Sequence, residues 1–322
     1  MTNFAIMGVG GYVAPRHLEA IKANGGTVVA AFDPNDSVGI LDRYNLDCEY
    51  FREYERFERY MELGAPRTGS SLFDDHVQAS PGFIQFLSVC SPNYLHDSHI
   101  RLGLRTGCMV ICEKPLVITP SNLGELRRAE ERYERKVYTI LQLRHHEALQ
   151  KVKNKLDAGT FSARTFHDVS ITYVTPRGAW YDFSWKGDES KSGGVAMNIG
   201  VHLFDVMGWL FGAVQEVIVH CREPRRAAGC VRFERAIVRW FLSVDEEDMN
   251  AFGKAKSERR IVIDEEEIEF SEGFTDLHTK AYSEILAGRG FGIEDARPSI
   301  DLVHKVRLAK ISDSNVERHP RL

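Results

Sequence analysis

Long apolar runs are absent from this 322-residue chain: no stretch of about 18 consecutive apolar residues occurs. The sequence therefore predicts no membrane span. Basic residues are not in excess either, since 41 Lys and Arg stand against 46 Asp and Glu, a formal net charge of −5. Binding to nucleic acid needs clustered cations that neutralise phosphates, so we expect no nucleic-acid partner.

Cysteine is scarce and scattered. The six cysteines include no CxxC pair and are too few for a disulfide scaffold; they are Cys48, Cys90, Cys108, Cys112, Cys221 and Cys230. The histidines show no metal-ligand spacing, so no metal site is expected. Residues 1–6 lack the basic-then-apolar pattern of a signal peptide. We expect a reduced, cytoplasmic protein.

Hydrophobic residues make up 43% of the chain, which is enough for a substantial core. The length of the chain suggests two domains. In the first third, short apolar runs alternate with helical patterns, which predicts a doubly wound parallel α/β sheet. The predicted strands are 3–8, 28–32, 83–89 and 109–112, and the predicted helices are 14–24, 52–63 and 94–106. The polar stretch 64–82 receives no assignment.

After Pro120 the pattern changes to longer alternating strands, typical of an antiparallel sheet in an α+β domain. The predicted strands are 136–143, 164–174, 214–222, 228–233, 236–244 and 259–270, and the predicted helices are 121–134, 146–157, 194–211, 276–288 and 297–310. We therefore expect a nucleotide-binding domain at 1–120 and a second domain at 121–322. The closing helices could pack back on the first domain.

A glycine turn follows the first predicted strand. Gly8, Gly10 and Gly11, followed by Tyr12 and Val13, would let backbone N–H groups approach a pyrophosphate at a helix N-terminus. Val13 stands where the dinucleotide fingerprint has a third glycine. Asp33 ends the second predicted strand, where a carboxylate can accept hydrogen bonds from ribose hydroxyls and repel a 2′-phosphate. NAD is therefore favoured over NADP.

Two further polar clusters leave neighbouring strands. Ser91, Pro92, Asn93 and His96 follow the strand that ends at Cys90, and Glu113 with Lys114 follows the next strand. Carboxyl ends of parallel strands are where such sheets bind ligands. A lysine there can hold a reacting hydroxyl or polarise a carbonyl.

These motifs resemble the Gfo/Idh/MocA oxidoreductase family along the whole chain. The resemblance extends to Gly193–His202, in which Asn198 and His202 are four residues apart on one helix face. It implies a Rossmann domain joined to a largely antiparallel domain, Lys114 and His202 as catalytic groups, and Gln142 beside the cofactor. It also implies a cis Lys114–Pro115 peptide. The family usually has Asp at position 198, so which of Lys114 and His202 takes the proton stays open.

Longer phrases of the sequence lie at residues 11–17, 141–146, 177–181, 184–188 and 270–278. They are similar to one subgroup, the bacterial UDP-N-acetyl-2-amino-2-deoxyglucuronate 3-dehydrogenases of O-antigen biosynthesis. This resemblance implies a UDP-sugar uronate as substrate and a pocket of cations and aromatics. The candidate substrate residues are Lys114, Arg144, Arg177, Trp180, Tyr181, Trp185, Lys186, Asn198, His202, Thr275 and His278. Another sugar or inositol dehydrogenase and a non-catalytic NAD sensor remain the alternatives.

The family also implies a homo-oligomer, dimer or tetramer, that pairs through the exposed face of the C-terminal sheet. On the predicted strand 236–244, Ile237 and Phe241 point away from the inward set Ala236, Val238 and Trp240. We expect Ile237 and Phe241 to be open apolar surface in the isolated chain.

Overall fold

A computed structural model describes residues 2–36, 39–64, 84–250, 257–269 and 273–322. Most of the stretch 64–82 lies outside these residues, as do 270–272. The strands are β1 (Thr2–Met7), β2 (Gly26–Phe32), β3 (Glu49–Phe51), β4 (Phe86–Val89), β5 (Met109–Cys112), β6 (Val137–Thr139), β7 (His167–Val174), β8 (Val214–Arg222), β9 (Arg226–Phe233), β10 (Ala236–Ser243), β11 (Glu258–Ile263) and β12 (Glu266–Ile268). The helices are α1 (Ala14–Ala23), α2 (Tyr54–Gly64), α3 (His96–Arg105), α4 (Pro120–Tyr133), α5 (Glu147–Asp157), α6 (Trp180–Phe183), α7 (Glu189–Ser192), α8 (Val201–Phe211), α9 (Glu246–Asn250), α10 (Leu277–Leu286) and α11 (Ile293–Leu308).

The chain divides into two compact units. The first comprises Met1–Leu116, Ser121–Ile140 and His278–Ile293, and the second comprises Val117–Pro120, Leu141–Leu277 and Glu294–Leu322. Residues 121–140 thus belong to the first unit, whereas the sequence placed them in the second domain. The reason is that β6 pairs in parallel with β5 and extends the first sheet.

The first unit is the predicted doubly wound α/β fold. Its six strands are all parallel, in the order β3-β2-β1-β4-β5-β6. The strand order reverses between β1 and β4, because β2 and β3 lie on one side of β1 and β4 to β6 lie on the other. Such a switch point is where doubly wound sheets bind ligands. Met7 pairs with both Phe32 and Val89, and Val89 pairs with Cys112. The loops that follow these strands therefore begin at one common edge.

Apolar side chains from distant parts of the chain form the core of this unit. Phe4, Leu18 and Phe86 are buried together with Ala281 and Tyr282 of α10. Phe4 stacks on Phe86 with ring centroids 5.2 Å apart. A segment nearly two hundred residues from β4 thus completes the nucleotide-binding unit.

The second unit is built on a mixed, mostly antiparallel sheet in the order β12-β11-β7-β10-β9-β8. Four of the five strand pairs are antiparallel, and β10 with β7 is the parallel pair. The stretch 259–270, predicted as one strand, is instead a hairpin of β11 and β12. Asp264 and Glu265 form its turn at φ of 49° and 73°, a conformation that breaks a strand.

One face of this sheet packs against α8. Phe204 of α8 meets Trp240 of β10 edge to face, with centroids 5.2 Å apart. The helical stretch 189–211 is long and apolar enough to cross a membrane, but 72% of its most apolar window is buried inside the protein. It is the core helix of the second unit.

The opposite face is covered by the chain's own C-terminal segment. Phe241 is 1% exposed, so the expectation that it forms open surface is wrong. His319 stacks on its ring at 5.7 Å, and Met249 belongs to the same apolar cluster. Ile237 is half-buried. The strand alternation was right, but alternation cannot tell which segment of the chain will cover a face.

Candidate active site

The turn after β1 brings backbone unusually close to the next loop of the sheet. Gly8 has φ of 82°, and a Cβ there would lie 2.6 Å from the Ser91 nitrogen and 2.7 Å from the Cys90 carbonyl carbon. Only glycine fits such a position. Gly11 donates its N–H to the Gly8 carbonyl at 3.0 Å, and α1 begins three residues later with Pro15 in its first turn. Tyr12 is 85% exposed and Val13 half-buried beside this N-terminus.

Asp33 lies directly beside the glycine turn. The N–H of Gly10 donates to its Oδ2 at 2.9 Å, and the backbone and side-chain nitrogens of Asn35 donate to Oδ1 at 3.0 and 2.9 Å. The carboxylate is therefore fixed at the end of β2, 5% exposed, with lone pairs left for further donors. A cradle of glycine with a fixed acid at its side fits the adenosine half of NAD.

The loop after β4 is braced by histidines. Ser91 Oγ lies 2.9 Å from Nδ1 of His99, and the ring nitrogens of His96 lie 2.8 Å from the Ser91 carbonyl and 2.7 Å from the Pro115 carbonyl. His96 thus connects the two loops predicted to contact cofactor. Pro92 and Asn93 lie between these anchors, and Asn93 is buried. The site is held by backbone contacts that sequence spacing alone does not specify.

Glu113 directly follows β5 and lies in a buried cluster. Its Oε1 lies 3.0 Å from Nε2 of His17 and 2.8 Å from Nε2 of His278. The Lys114–Pro115 peptide is cis, as the resemblance implied, and the Lys114 side chain is half-buried. His278 was a candidate substrate contact. The structure instead commits its Nε2 to Glu113 inside the first unit.

One residue of this cluster, Tyr282, could not be found from sequence. The hydroxyl of Tyr282 lies 2.7 Å from Nδ1 of His17 and 2.7 Å from Ser88 Oγ. Tyr282 is 265 residues from His17 in the chain. No local motif marks it, because it acts through a contact that exists only after α10 packs on the sheet.

In the second unit, Asn198 and His202 lie on a helix that begins irregularly. Gly193 and Gly194 have φ of 83° and 77°, and residues 196–200 form a π-helical turn before α8. Such turns are frequent at functional sites. Asn198 donates to the Tyr181 hydroxyl at 3.2 Å and to the Lys186 carbonyl at 3.0 Å. His202 is half-buried in the first turn of α8.

The predicted aromatic and cationic residues come together around Lys186. Its Nζ lies 5.5 Å from the ring centroids of both Trp180 and Trp185, a cation–π arrangement. Burial lowers the pKa of Lys186, and the nearby Arg177 guanidinium lowers it further. Neither cation pairs with a carboxylate among the described residues. Half-buried, like-charged groups of this kind favour an anionic ligand.

Arg144 is engaged elsewhere. Its Nε and Nη2 donate to the carboxylate of Asp205 at 3.0 and 2.7 Å, and Nη2 also donates to the Asp295 carbonyl at 3.1 Å. This fork holds the Arg144 guanidinium against Asp205 within the second unit. Nearby in sequence, the Oε1 of Gln142 is buried without a partner among the described residues. Thr275 is exposed.

Comparison with known proteins follows the same division. The model of the Gfo/Idh/MocA oxidoreductase family with an NAD-binding Rossmann fold matches residues 2–141, and the model of that family's C-terminal alpha/beta domain matches 165–247. D-glucoside 3-dehydrogenase of Escherichia coli is 31% identical over 148 residues, 42% of this chain and 38% of that protein. This chain therefore spans well under half the length of that relative, whereas glucose-6-phosphate 3-dehydrogenase of Bacillus subtilis, 23% identical over 314 residues, is covered to 73% of its length.

Solved structures match more completely. Two crystal structures of the WlbA (WbpB) dehydrogenase from Thermus thermophilus, one with NAD and alpha-ketoglutarate and one with NAD and UDP-GlcNAcA, are 45% and 44% identical to this chain. Both comparisons cover 100% of each chain, with TM-scores of 0.90 and 0.89. The glycine cradle, the fixed acid and the full-length likeness lead to one assignment: the chain belongs to the Gfo/Idh/MocA family of NAD-dependent oxidoreductases.

Proposed function

We propose that the protein oxidises the C3 hydroxyl of UDP-N-acetyl-2-amino-2-deoxy-D-glucuronate to the 3-oxo sugar, with NAD as oxidant. The reaction would serve the synthesis of a diacetamido-uronic acid for surface polysaccharide in the cytoplasm. The observation that carries this proposal is the full-length likeness to a dehydrogenase whose crystal structure holds NAD and UDP-GlcNAcA.

The anionic substrate has a matching receptor in the second unit. Arg177 and Lys186 lack carboxylate partners among the described residues, and the indoles of Trp180 and Trp185 flank Lys186. Aromatic faces suit a sugar ring, and the cations suit its uronate group. We assign Arg177, Trp180, Tyr181, Trp185, Lys186 and Asn198 to substrate binding.

The acid–base chemistry is assigned to Lys114 and His202. When bound, NAD supplies a hydride acceptor at the nicotinamide ring. Lys114 would hold the hydroxyl and receive its proton, and His202 would exchange that proton onward. Asn198 adds no charge beside His202, because a side-chain amide is neutral. Its nitrogen donates to the Tyr181 hydroxyl and to the Lys186 carbonyl.

Incubation of the enzyme with UDP-GlcNAcA and NAD tests this function. We expect NADH absorbance to rise and mass spectrometry to show a sugar nucleotide lighter by two hydrogens. UDP-N-acetylglucosamine, which lacks the carboxylate, is the control and should react far less. Oxidation of a neutral sugar or inositol alone would favour the first alternative, and NAD binding with no single turnover would favour an NAD sensor.

A 2-oxo acid could regenerate the cofactor, since one relative was crystallised with NAD and alpha-ketoglutarate. In that step the 2-oxo acid would be reduced to the 2-hydroxy acid as NADH returns to NAD. Adding alpha-ketoglutarate to reduced enzyme should remove NADH absorbance and yield 2-hydroxyglutarate.

We also propose a homo-oligomer paired through the second sheet. The contact would now include the C-terminal segment, where Ile311 is 46% exposed and Val316 67% exposed. Analytical ultracentrifugation at micromolar concentration should show a dimer or tetramer. A monomer there would contradict the proposal.

A further inference from the structure

The buried carboxylate of Glu113 is held from three sides. Nε2 of His278 and Nε2 of His17 lie 2.8 and 3.0 Å from its Oε1, and the backbone N–H of Lys114 donates to Oε2 at 3.2 Å. An ionised carboxylate only accepts hydrogen bonds, so each of these two imidazole nitrogens must carry a proton. We call this set of three hydrogen bonds from His17, His278 and the Lys114 backbone the Glu113 clamp. The clamp connects α1 and α10 to the backbone of Lys114.

The protonation states of the cluster follow from its contacts. Burial would raise the pKa of Glu113, but hydrogen bonds from His17 and His278 hold it well below its ordinary value. Burial lowers the pKa of His17, so its ring is neutral. Its Nδ1 then accepts from the Tyr282 hydroxyl, which in turn accepts from Ser88.

His278 fits the same arrangement. Its Nδ1 is buried and has no hydrogen-bond partner among the described residues. Its Nε2 proton is directed at Glu113, so His278 completes the set of donors around the carboxylate.

We propose that His17 and His278 are positioning residues that keep Glu113 ionised, and that Glu113 orients Lys114 and stabilises the ammonium formed when Lys114 receives a proton. This inference rests on the proposed role of Lys114 in hydroxyl oxidation. Neither histidine is required to touch substrate or cofactor.

Three further titratable groups on neighbouring elements interact electrostatically with Glu113. Burial raises the pKa of the Cys90 thiol on β4, the Cys112 thiol on β5 and the Tyr282 phenol on α10, so all three are neutral. Burial lowers the pKa of His96, while the charge of Glu113 raises it and the charge of Lys114 lowers it.

A metal ion is the competing explanation for the same three side chains. The donor atoms of His17, Glu113 and His278 lie within 4.8 Å of one another. Metal binding would require both Nε2 atoms to lose their protons and would replace the two hydrogen bonds. Elemental analysis of purified enzyme distinguishes the two, since one metal ion per chain would overturn the clamp.

The direct test reads the titration of Lys114 without substrate. An amine-reactive probe applied across a pH series, with mass spectrometry of the Lys114 peptide, gives its pKa. In Glu113→Gln we expect that pKa to fall by about one unit, the order expected for loss of a unit charge several ångströms away. The matched control is Glu284→Gln, which removes a surface carboxylate of α10 that pairs with Arg289. This variant should leave the Lys114 pKa unchanged.

Variants at His278 keep the test valid if Glu113→Gln does not fold. His278→Leu removes the donor and should lower both the Lys114 pKa and kcat while NAD affinity stays near normal. His278→Gln restores an N–H donor at a similar reach and should recover much of both. An unchanged Lys114 pKa in folded Glu113→Gln or His278→Leu would overturn the inference. A fully active Lys114→Met would instead overturn the proposed function of Lys114, whatever the titration shows.

Discussion

The backbone N–H of Gly10 donates to Oδ2 of Asp33 at 2.9 Å, so the glycine turn itself orients the acid that ends β2. A Cβ at Gly10 would lie 3.1 Å from the same oxygen. The turn and the carboxylate form one unit, and a change at either position should alter cofactor choice.

The first prediction concerns that choice. NAD should bind about a hundred-fold more tightly than NADP, because a 2′-phosphate several ångströms from a carboxylate costs about 3 kcal/mol at an effective dielectric constant near 20. Asp33→Ser should reduce the ratio of NAD affinity to NADP affinity, which fluorescence titration with each cofactor measures. Asp36→Ser, which removes an exposed acid from the same loop, is the control. Equal affinities in the unaltered protein would contradict the assignment.

The second prediction concerns the reaction centre. Lys114→Met and His202→Ala should each lower kcat by about 10²–10⁴, the usual effect of losing an acid–base group. NAD affinity should change little, and Lys151→Met at an exposed site should behave as the unaltered enzyme. Stopped-flow measurement of NADH formation decides. Normal turnover in either variant would show that the wrong residues are named.

The third prediction concerns Arg177 and Lys186, the proposed binding site for the uronate carboxylate. Arg177→Ala and Lys186→Ala should each raise KM for the uronate by roughly ten- to a hundred-fold, because each removes a charge-assisted contact of about 1.5–3 kcal/mol. The KM for NAD should remain near its original value. Lys191→Ala provides a matched control, since that lysine pairs with Asp188. If the variants discriminate UDP-GlcNAcA from UDP-N-acetylglucosamine as before, the receptor lies elsewhere.

The fourth prediction concerns the buried pair of Arg144 and Asp205. Burial raises the pKa of Asp205, and the bond to Arg144 opposes that shift. Asp205→Asn should cost about 3–5 kcal/mol in the free energy of unfolding, because it removes the buried counter-charge of Arg144 and leaves it only the partly exposed Asp295 carboxylate at 3.5 Å. Urea unfolding measures this, with Glu189→Gln at an exposed pair as control. Arg144→Met with Asp205→Leu should recover stability, and a single-variant loss within error of the control would refute the argument.

The fifth prediction concerns pH. Burial lowers the pKa of His319 to about 4, with Arg321 and Arg239 adding to the effect. The unfolded chain binds a proton near pH 6.5 and the folded chain does not, so stability should fall as pH drops from about 6.5 to about 4. The free energy of unfolding should differ between pH 7 and pH 5, and His319→Gln should reduce that difference by up to about 2 kcal/mol. His99, whose pKa burial also lowers to about 4, retains a slope of the same sign. Identical pH slopes for the two proteins would contradict the assignment.

Much of this molecule could be predicted from local sequence. The parallel sheet, the glycine turn, Asp33 and the Lys114 loop depend on strand periodicity and on residues that directly follow a strand. The His17–Glu113–His278 cluster, the capture of Arg144 by Asp205 and the cover over Phe241 could not, because each joins segments far apart in the chain. Strand alternation assigned Phe241 to the correct face and still gave the wrong exposure, since nothing local marks residue 319 as its cover.

The return of α10 to the first sheet also bears on how the protein is made. A ribosome releases the chain from its N-terminus, so β1 to β6 emerge while the partner residues Ala281, Tyr282 and Ile285 are still unsynthesised. Until some 140 further residues have followed β6, the nascent sheet lacks part of its core and the hydroxyl that bonds His17. Such a unit exposes apolar surface during synthesis, and exposed surface of this kind recruits chaperones and promotes aggregation. Completion of the nucleotide-binding half is therefore delayed until α10 has been translated.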